Sequence, residues 1–173
     1  MVAILRALLR LFAPVWYFVS YCVPKDRTAV VLTTFPDFDD TARSIVEEAS
    51  RRGKTAHVLT NDKAFEAPPW MRGHNATTSF KYSLTGLWRF HRAHLVFFTH
   101  GLYFSWRSHR AQQVVNLWHG MPIKRIGKLL GSNQGDLPSF DYTIAYSEKF
   151  RPIIASAFGI EQEKVLISAH PRM

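Results

Sequence analysis

A chain of 173 residues is long enough for one domain with a real core. Hydrophobic residues at 47% and charged residues at 20% exclude a disordered chain, and one cysteine, Cys22, excludes an intrachain disulfide. The net charge of +9, with a pI near 10.0, calls for an anionic partner: nucleic acid, anionic lipid or a phosphate-rich substrate.

The N-terminal stretch "MVAILRALLRLFAPVWYFVSYCVP" is almost wholly apolar. Its only charges, Arg6 and Arg10, stand one helical turn apart and so share a face. The uncharged run from Leu11 to Val23 has 13 residues, short of the ~20 that a spanning helix needs. No small-residue cleavage site precedes "PKDR", which argues against a removable signal peptide. Three readings stand: a helix lying in a membrane surface, a helix packed on the domain's own core, and a single span. The first is carried forward. It places Arg6 and Arg10 against lipid phosphates and Trp16, Tyr17 and Tyr21 at the interface. Residues 1–23 are then a membrane-associating helix and 24–173 the folded domain.

After "PKDR", "TAVVLTTF" predicts a buried strand. "PDFDD" turns, and Asp40 or Thr41 caps a helix with Ala42, Ile45, Val46 and Ala49 at helical spacing, ended by Gly53. "KTAHVLTND" is a second strand. "KAFEAPPWMRGHNATTSF" reads as a loop or connecting element. "SLTGLWRFHRAH" predicts a short helix with Leu84, Leu87, Trp88 and His91 along one face. "LVFFTHG" and "VVNLWHG" are the third and fourth strands, and "PIKRIGKLLG" starts a helix at Pro122. "FDYTIAYS" is a fifth strand. Ser147 caps a helix over "EKFRPIIASAFGI", and "EKVLISAHPRM" is a sixth strand running into a loop. Alternating strands and helices without hairpin turns give the fold class: α/β, an open parallel Rossmann-like sheet.

In such a sheet, ligands bind beyond the carboxyl ends of the strands. His100, His119 and His170 each lie just past a predicted strand end. His57 falls inside a strand and reads as structural. His91 and His94 have the spacing of a metal pair, but no Cys, Asp or Glu completes the set, so no metal is expected. No P-loop, GxGxxG or GxSxG motif is present, and no paired-cysteine zinc spacing or aromatic RNA-binding signature appears. No cofactor is therefore expected. A nucleic-acid role rests on net charge alone, and the apolar N-terminus argues against it.

The stretch "NLWHGMPIKRIG" resembles the "LWHGTPLKxxG" signature of the CDP-glycerol glycerophosphotransferases, the teichoic-acid primases and polymerases. Three further stretches are similar to family patterns in the same order. They are "VPKDRTAVVL", "SLTGLWRFHRAHLVFFTHGL" and "FDYTIAYSEKFRPIIASAFGIEQEKVLISAHPRM", the last against "WDYxxxxSE…AFG…KILxxGYPRND". Two departures stand out: Met121 where the family has Thr, and "AHPRM" where it has "GYPRND".

The resemblance implies half of a two-domain GT-B type fold, ending near Met173 where the acceptor-side domain gives way to the donor domain. It implies transfer of glycerol phosphate from CDP-glycerol to an acceptor hydroxyl, with release of CMP, at a peripheral site on the cytoplasmic face of the cell membrane. His119 is then the base for the attacking hydroxyl, against a role in shaping the turn. His100, Lys124 and Arg125 are acceptor- or phosphate-binding candidates. Lys128 joins them, with a solvated helix face as the alternative for Arg125 and Lys128. The expected partners are a lipid surface and, once a second domain completes the site, CDP-glycerol and an anionic polyol-phosphate acceptor. The alternative is a non-catalytic split or truncated member that binds membrane or anionic polymer.

Overall fold

The computed structural model describes residues 13–103, 111–118, 125–130 and 139–169. Seven strands form one sheet: β1 (Asp26–Thr33), β2 (Thr55–Thr60), β3 (Ala76–Phe80), β4 (Ala93–Phe98), β5 (Gln113–Asn116), β6 (Tyr142–Ala145) and β7 (Val165–Ile167). Their order is β3-β2-β1-β4-β5-β6-β7, and every neighbouring pair is parallel. The chain builds outward from β1 through β2 to β3. It then returns to the other side of β1 to start β4. That reversal makes the β1–β4 boundary the topological switch point, where an open α/β sheet forms a crevice at its carboxyl edge.

Side-chain alternation sends successive residues of β1 to opposite faces. Val30 and Leu32 pack with Ala42, Ile45, Val46 and Ala49 of α2 (Asp40–Arg51). Val31 packs with Leu87 and Phe90 of α3 (Leu84–Arg92), beside Val96, Phe98 and Val114. A further cluster joins α4 (Arg151–Phe158) to Ala145, Val165 and Ile126. Phe140 links it to the α3 cluster, with ring centroids 6.0 Å from Phe98 and 5.5 Å from Phe158.

The sheet has one strand more than the sequence pattern suggests. The stretch expected as a connecting element holds β3, an edge strand paired with β2 from Ala76 to Phe80. Only Ser79 of it is buried, so it carries no hydrophobic run to announce it. Asp39, one residue before the expected caps, accepts the Ala42 N–H at 2.9 Å and caps α2. Thr41 is buried instead. Ser147 does not cap α4: residues 148–150 form a turn and the helix begins at Arg151, with Pro152 in its first turn. On α3, Leu87 and His91 are buried as expected, but Leu84 and Trp88 are 85% and 52% exposed, and Gly86 and Phe90 take the inner face. Gly86 sets that choice, because a Cβ there would meet the Phe80 carbonyl oxygen at 2.4 Å.

The N-terminal helix α1 (Ala13–Cys22) packs against α3. Lys25 ties the two C-termini together. Its ammonium donates to Ser20 O at 2.8 Å, to Ser20 Oγ at 3.2 Å and to His91 O. Cations suit helix C-termini. Burial lowers this ammonium to about 8, so it stays charged at neutral pH. No helix among the described residues is long and apolar enough to cross a membrane.

Two histidines are structural. His57 Nδ1 lies 2.6 Å from Thr77 Oγ1 across the β2–β3 pair. Burial, then the Arg89 charge, lowers its pKa to about 4. Burial, then the Lys25 charge, does the same to His91. Both rings resist protonation when folded, whereas the unfolded chain takes up protons as pH falls through about 6.5. Their contribution is therefore full above pH 6.5 and is lost as pH falls toward 4. The midpoint of thermal unfolding is expected to fall across that window. His91→Leu should flatten the dependence, with His91 accounting for roughly 3 kcal/mol at most. An unchanged slope in that variant would show that His91 is not the group responsible.

Candidate active edge of the sheet

The crevice at the switch point is built from the ends of β1, β4 and β2. Thr99, buried just past β4, donates its backbone N–H to Thr33 O at 3.2 Å. Its hydroxyl oxygen accepts the Phe35 N–H at 3.2 Å and lies 3.2 Å from His100 Nδ1. His100 is exposed, and the Phe35 ring stands against it edge-on, 5.5 Å between centroids. On the other flank, Asn61 Nδ2 donates to Thr34 O at 3.0 Å. Asp37 accepts the N–H groups of Asn61 and Asp62 and the Asn61 side-chain amide, all within 3.0 Å. Behind this crevice, the buried Lys81 donates to Gly101 O at 2.8 Å, and the Tyr103 hydroxyl donates to Lys81 O. His100 and Gly101 are thereby held from both sides.

The second part of the edge lies past β5. Asn116 is buried; its carbonyl accepts the Thr143 hydroxyl at 2.9 Å and its side-chain oxygen accepts the Trp118 N–H at 2.9 Å. This Asx turn bends the chain out of the strand. Trp118 adopts a left-handed conformation at φ 53°, with its ring 5.2 Å from Phe158 of α4. Further along the chain, Ile126 is buried in the α4 cluster. Gly127, at φ 54°, runs so close to α4 that a Cβ would meet the Ala157 carbonyl oxygen at 2.0 Å. The described residues Trp118 and Gly127, on either side of 119–124, thus both pack on one helix.

His119, Lys124 and His170 lie outside the described residues, as do Arg6 and Arg10. Arg125 is exposed just before the Gly127 anchor. Lys128 belongs to a 3-10 turn (Gly127–Leu130), the described part of the helix expected from Pro122. A Cβ on Gly159 would lie 2.0 Å from Lys128 Nζ, so this cation sits over the C-terminus of α4. Of the membrane-contact candidates, Tyr17 is 48% exposed, and Trp16 is on α1. His94 Nδ1 lies 2.6 Å from Ala111 O while His91 is buried. Among the described residues no three metal-ligating side chains come together.

The sequence reading gave no role to Phe35, Thr99, Asn116, Trp118 or Gly127. The visible signals were an aromatic directly after a strand, an Asn two residues before a Trp, and a Gly closing the signature. An apolar groove of about 480 Å³ lies on the α2 face, lined by Val30, Ile45, Leu95, Phe97 and Leu117. It has no histidine to move a proton.

Three comparisons bear on this arrangement. The family described as CDP-Glycerol:Poly(glycerophosphate) glycerophosphotransferase matches residues 15–173. Solved structures of the wall teichoic acid polymerase TagF superpose on the chain. One has a TM-score of 0.69 at 17% identity, covering 85% of this chain and 39% of that one. A histidine-to-asparagine variant soaked with CDPG gives 0.70 at 16%, covering 85% and 41%. A histidine-to-alanine variant gives 0.68 at 16%, covering 85% and 40%. At such identity the likeness is one of fold. The chain spans about two fifths of the length of these structures. A comparison with curated proteins returned no match.

Gly127→Ala is expected to destabilise the fold by about 3 kcal/mol, because the clash is with backbone and the left-handed φ disfavours a side chain. Urea unfolding checks it. Unaltered stability would mean that the approach to α4 is looser than described.

Proposed function

The chain belongs to the CDP-glycerol:poly(glycerophosphate) glycerophosphotransferase family, and on that premise we propose that it forms the acceptor side of a CDP-glycerol-dependent transferase. The observation that carries the reading is that the family signature begins in β5 at the carboxyl edge of the sheet, with its described residues Trp118 and Gly127 packed on α4. Ligands of open α/β sheets bind at that edge.

The reaction joins an acceptor hydroxyl oxygen to the phosphorus of the glycerol-phosphate unit and breaks that phosphorus's bond to the bridging oxygen of the pyrophosphate. CMP leaves with the bonding electrons. His119, one residue past the Trp118 turn, takes the hydroxyl proton; an imidazole titrates near neutrality and suits that role. The role proposed for Lys124 and Arg125 is to meet a phosphate of the acceptor or donor, where cations offset the charge developing on phosphoryl oxygens. A donor-binding domain outside these residues completes the site in a two-domain GT-B arrangement.

In the proposed setting the domain works at the surface of the cell membrane, on its cytoplasmic face. Support comes from α1, whose Val15, Tyr17, Phe18 and Tyr21 are all at least 48% exposed, and from Leu84 and Trp88 on the neighbouring α3. Exposed apolar side chains in this number, beside a net charge of +9, suit an anionic lipid surface.

His119→Ala is expected to lower turnover by about 10²–10⁴-fold while leaving thermal unfolding unchanged. The measurement is radiolabelled glycerol-phosphate transfer by these residues joined to a donor domain. Near-normal turnover in the folded variant would remove His119 as the base and move the role to His100. Sedimentation with anionic vesicles tests the membrane reading. Deleting residues 1–23 should move the protein from the pellet to the supernatant, and high salt should release it only in part, since apolar burial is not screened. An intact chain that fails to pellet would contradict it.

A further inference from the structure

Phe35 is a large apolar side chain left 61% exposed at the switch point. It is not on a loose loop. Its N–H is held by Thr99 Oγ1, Thr34 Oγ1 donates to Pro36 O at 3.0 Å, and Asn61 bonds Thr34 O. Asp37, two residues on, is fixed by three N–H donors from the end of β2. The ring is therefore presented by a rigid frame, and among the described residues it makes a T-shaped contact with His100 at 5.5 Å and 62°. A preorganised aromatic face beside a histidine in a ligand crevice is the arrangement of a binding platform.

The surrounding charge narrows what it binds. From Thr34 to Ala42 the chain carries Asp37, Asp39 and Asp40 and no cation. That stretch offers a phosphate no cation. A hydroxylated carbon chain or ring needs none: its C–H bonds, polarised by the neighbouring oxygens, present a weakly positive face to the ring's negative one. Arg125 of the signature follows β5 in the chain, and β5 stands on the far side of β4 from β1. The two halves of a polyol-phosphate thus find different partners along one sheet edge.

We propose that Phe35 and His100 form a subsite for the hydroxylated carbon portion of the acceptor, a neutral glycerol or sugar unit, and that Phe35 is its specificity-determining residue. The inference rests on the acceptor-side reading above.

The test is an NMR titration of residues 1–173, following the Phe35 and His100 ring resonances. The probes are a short glycerol-phosphate oligomer, free glycerol and inorganic phosphate. The oligomer and, at higher concentration, glycerol should shift both rings, whereas inorganic phosphate should not. Phe35→Ala and Phe35→Leu should each weaken oligomer binding about tenfold, while Phe35→Trp, which keeps an aromatic face, stays within about threefold. Leu preserves apolar bulk, so it separates loss of the π face from collapse of the loop. Unfolding midpoints confirm that each variant is folded. Oligomer binding that Phe35→Leu leaves unchanged, or ring shifts produced equally by inorganic phosphate, overturns the subsite alone. An unaltered chain that binds no oligomer overturns the acceptor-side reading and the subsite with it.

Discussion

The approach of the Gly127 backbone to the Ala157 carbonyl leaves no space for a side chain, and it seats the 127–130 turn on α4. Trp118 turns in a left-handed conformation onto Phe158 of α4, and Gly127 meets the same helix. The same helix end accounts for Lys128, which sits over the C-terminus of α4. A cation there stabilises the helix dipole, and the signature's charges need not all serve a ligand.

The order of the sheet distributes chemistry along its carboxyl edge. Reversal of the chain at β1 opens the crevice that Phe35, Thr99 and His100 line, with carboxylates on the β1 side. The basic signature follows β5, on the opposite side of β4. Such a gradient orients a molecule that is polyol at one end and phosphate at the other before any specific contact forms. Two of the other histidines fall outside this edge. His57 and His91 are half-buried and buried respectively, and low in basicity, so they act on stability rather than on a substrate.

The parallel sheet was legible because strands buried on both faces read as continuous runs such as "AVVLT" and "LVFF". The edge strand β3 was not: "ATTSF" buries one side chain, and its identity comes from pairing with β2. On α3, Leu84 and Leu87 have equal claim to the inner face by periodicity. The close approach of Gly86 to Phe80 decides between them, and that contact is tertiary. Asp39, Asp40 and Thr41 are three successive residues able to cap, so the start of α2 was uncertain by a residue. Of the site, the histidines at strand ends were visible from the pattern of runs. Their supports, Thr99 behind His100 and Asn116 before Trp118, required knowing which strands stand side by side.

The central claim is that the carboxyl edge of this sheet is the acceptor surface of a glycerophosphotransferase. Hydrogen exchange on residues 1–173, with and without a glycerol-phosphate oligomer, tests it most directly. The account predicts slowed exchange in 33–38, 99–103 and 116–127, with the opposite edge of the sheet and the α2 groove unchanged. Protection confined to the groove around Ile45, Leu95 and Phe97, or to the amino ends of the strands, would contradict it.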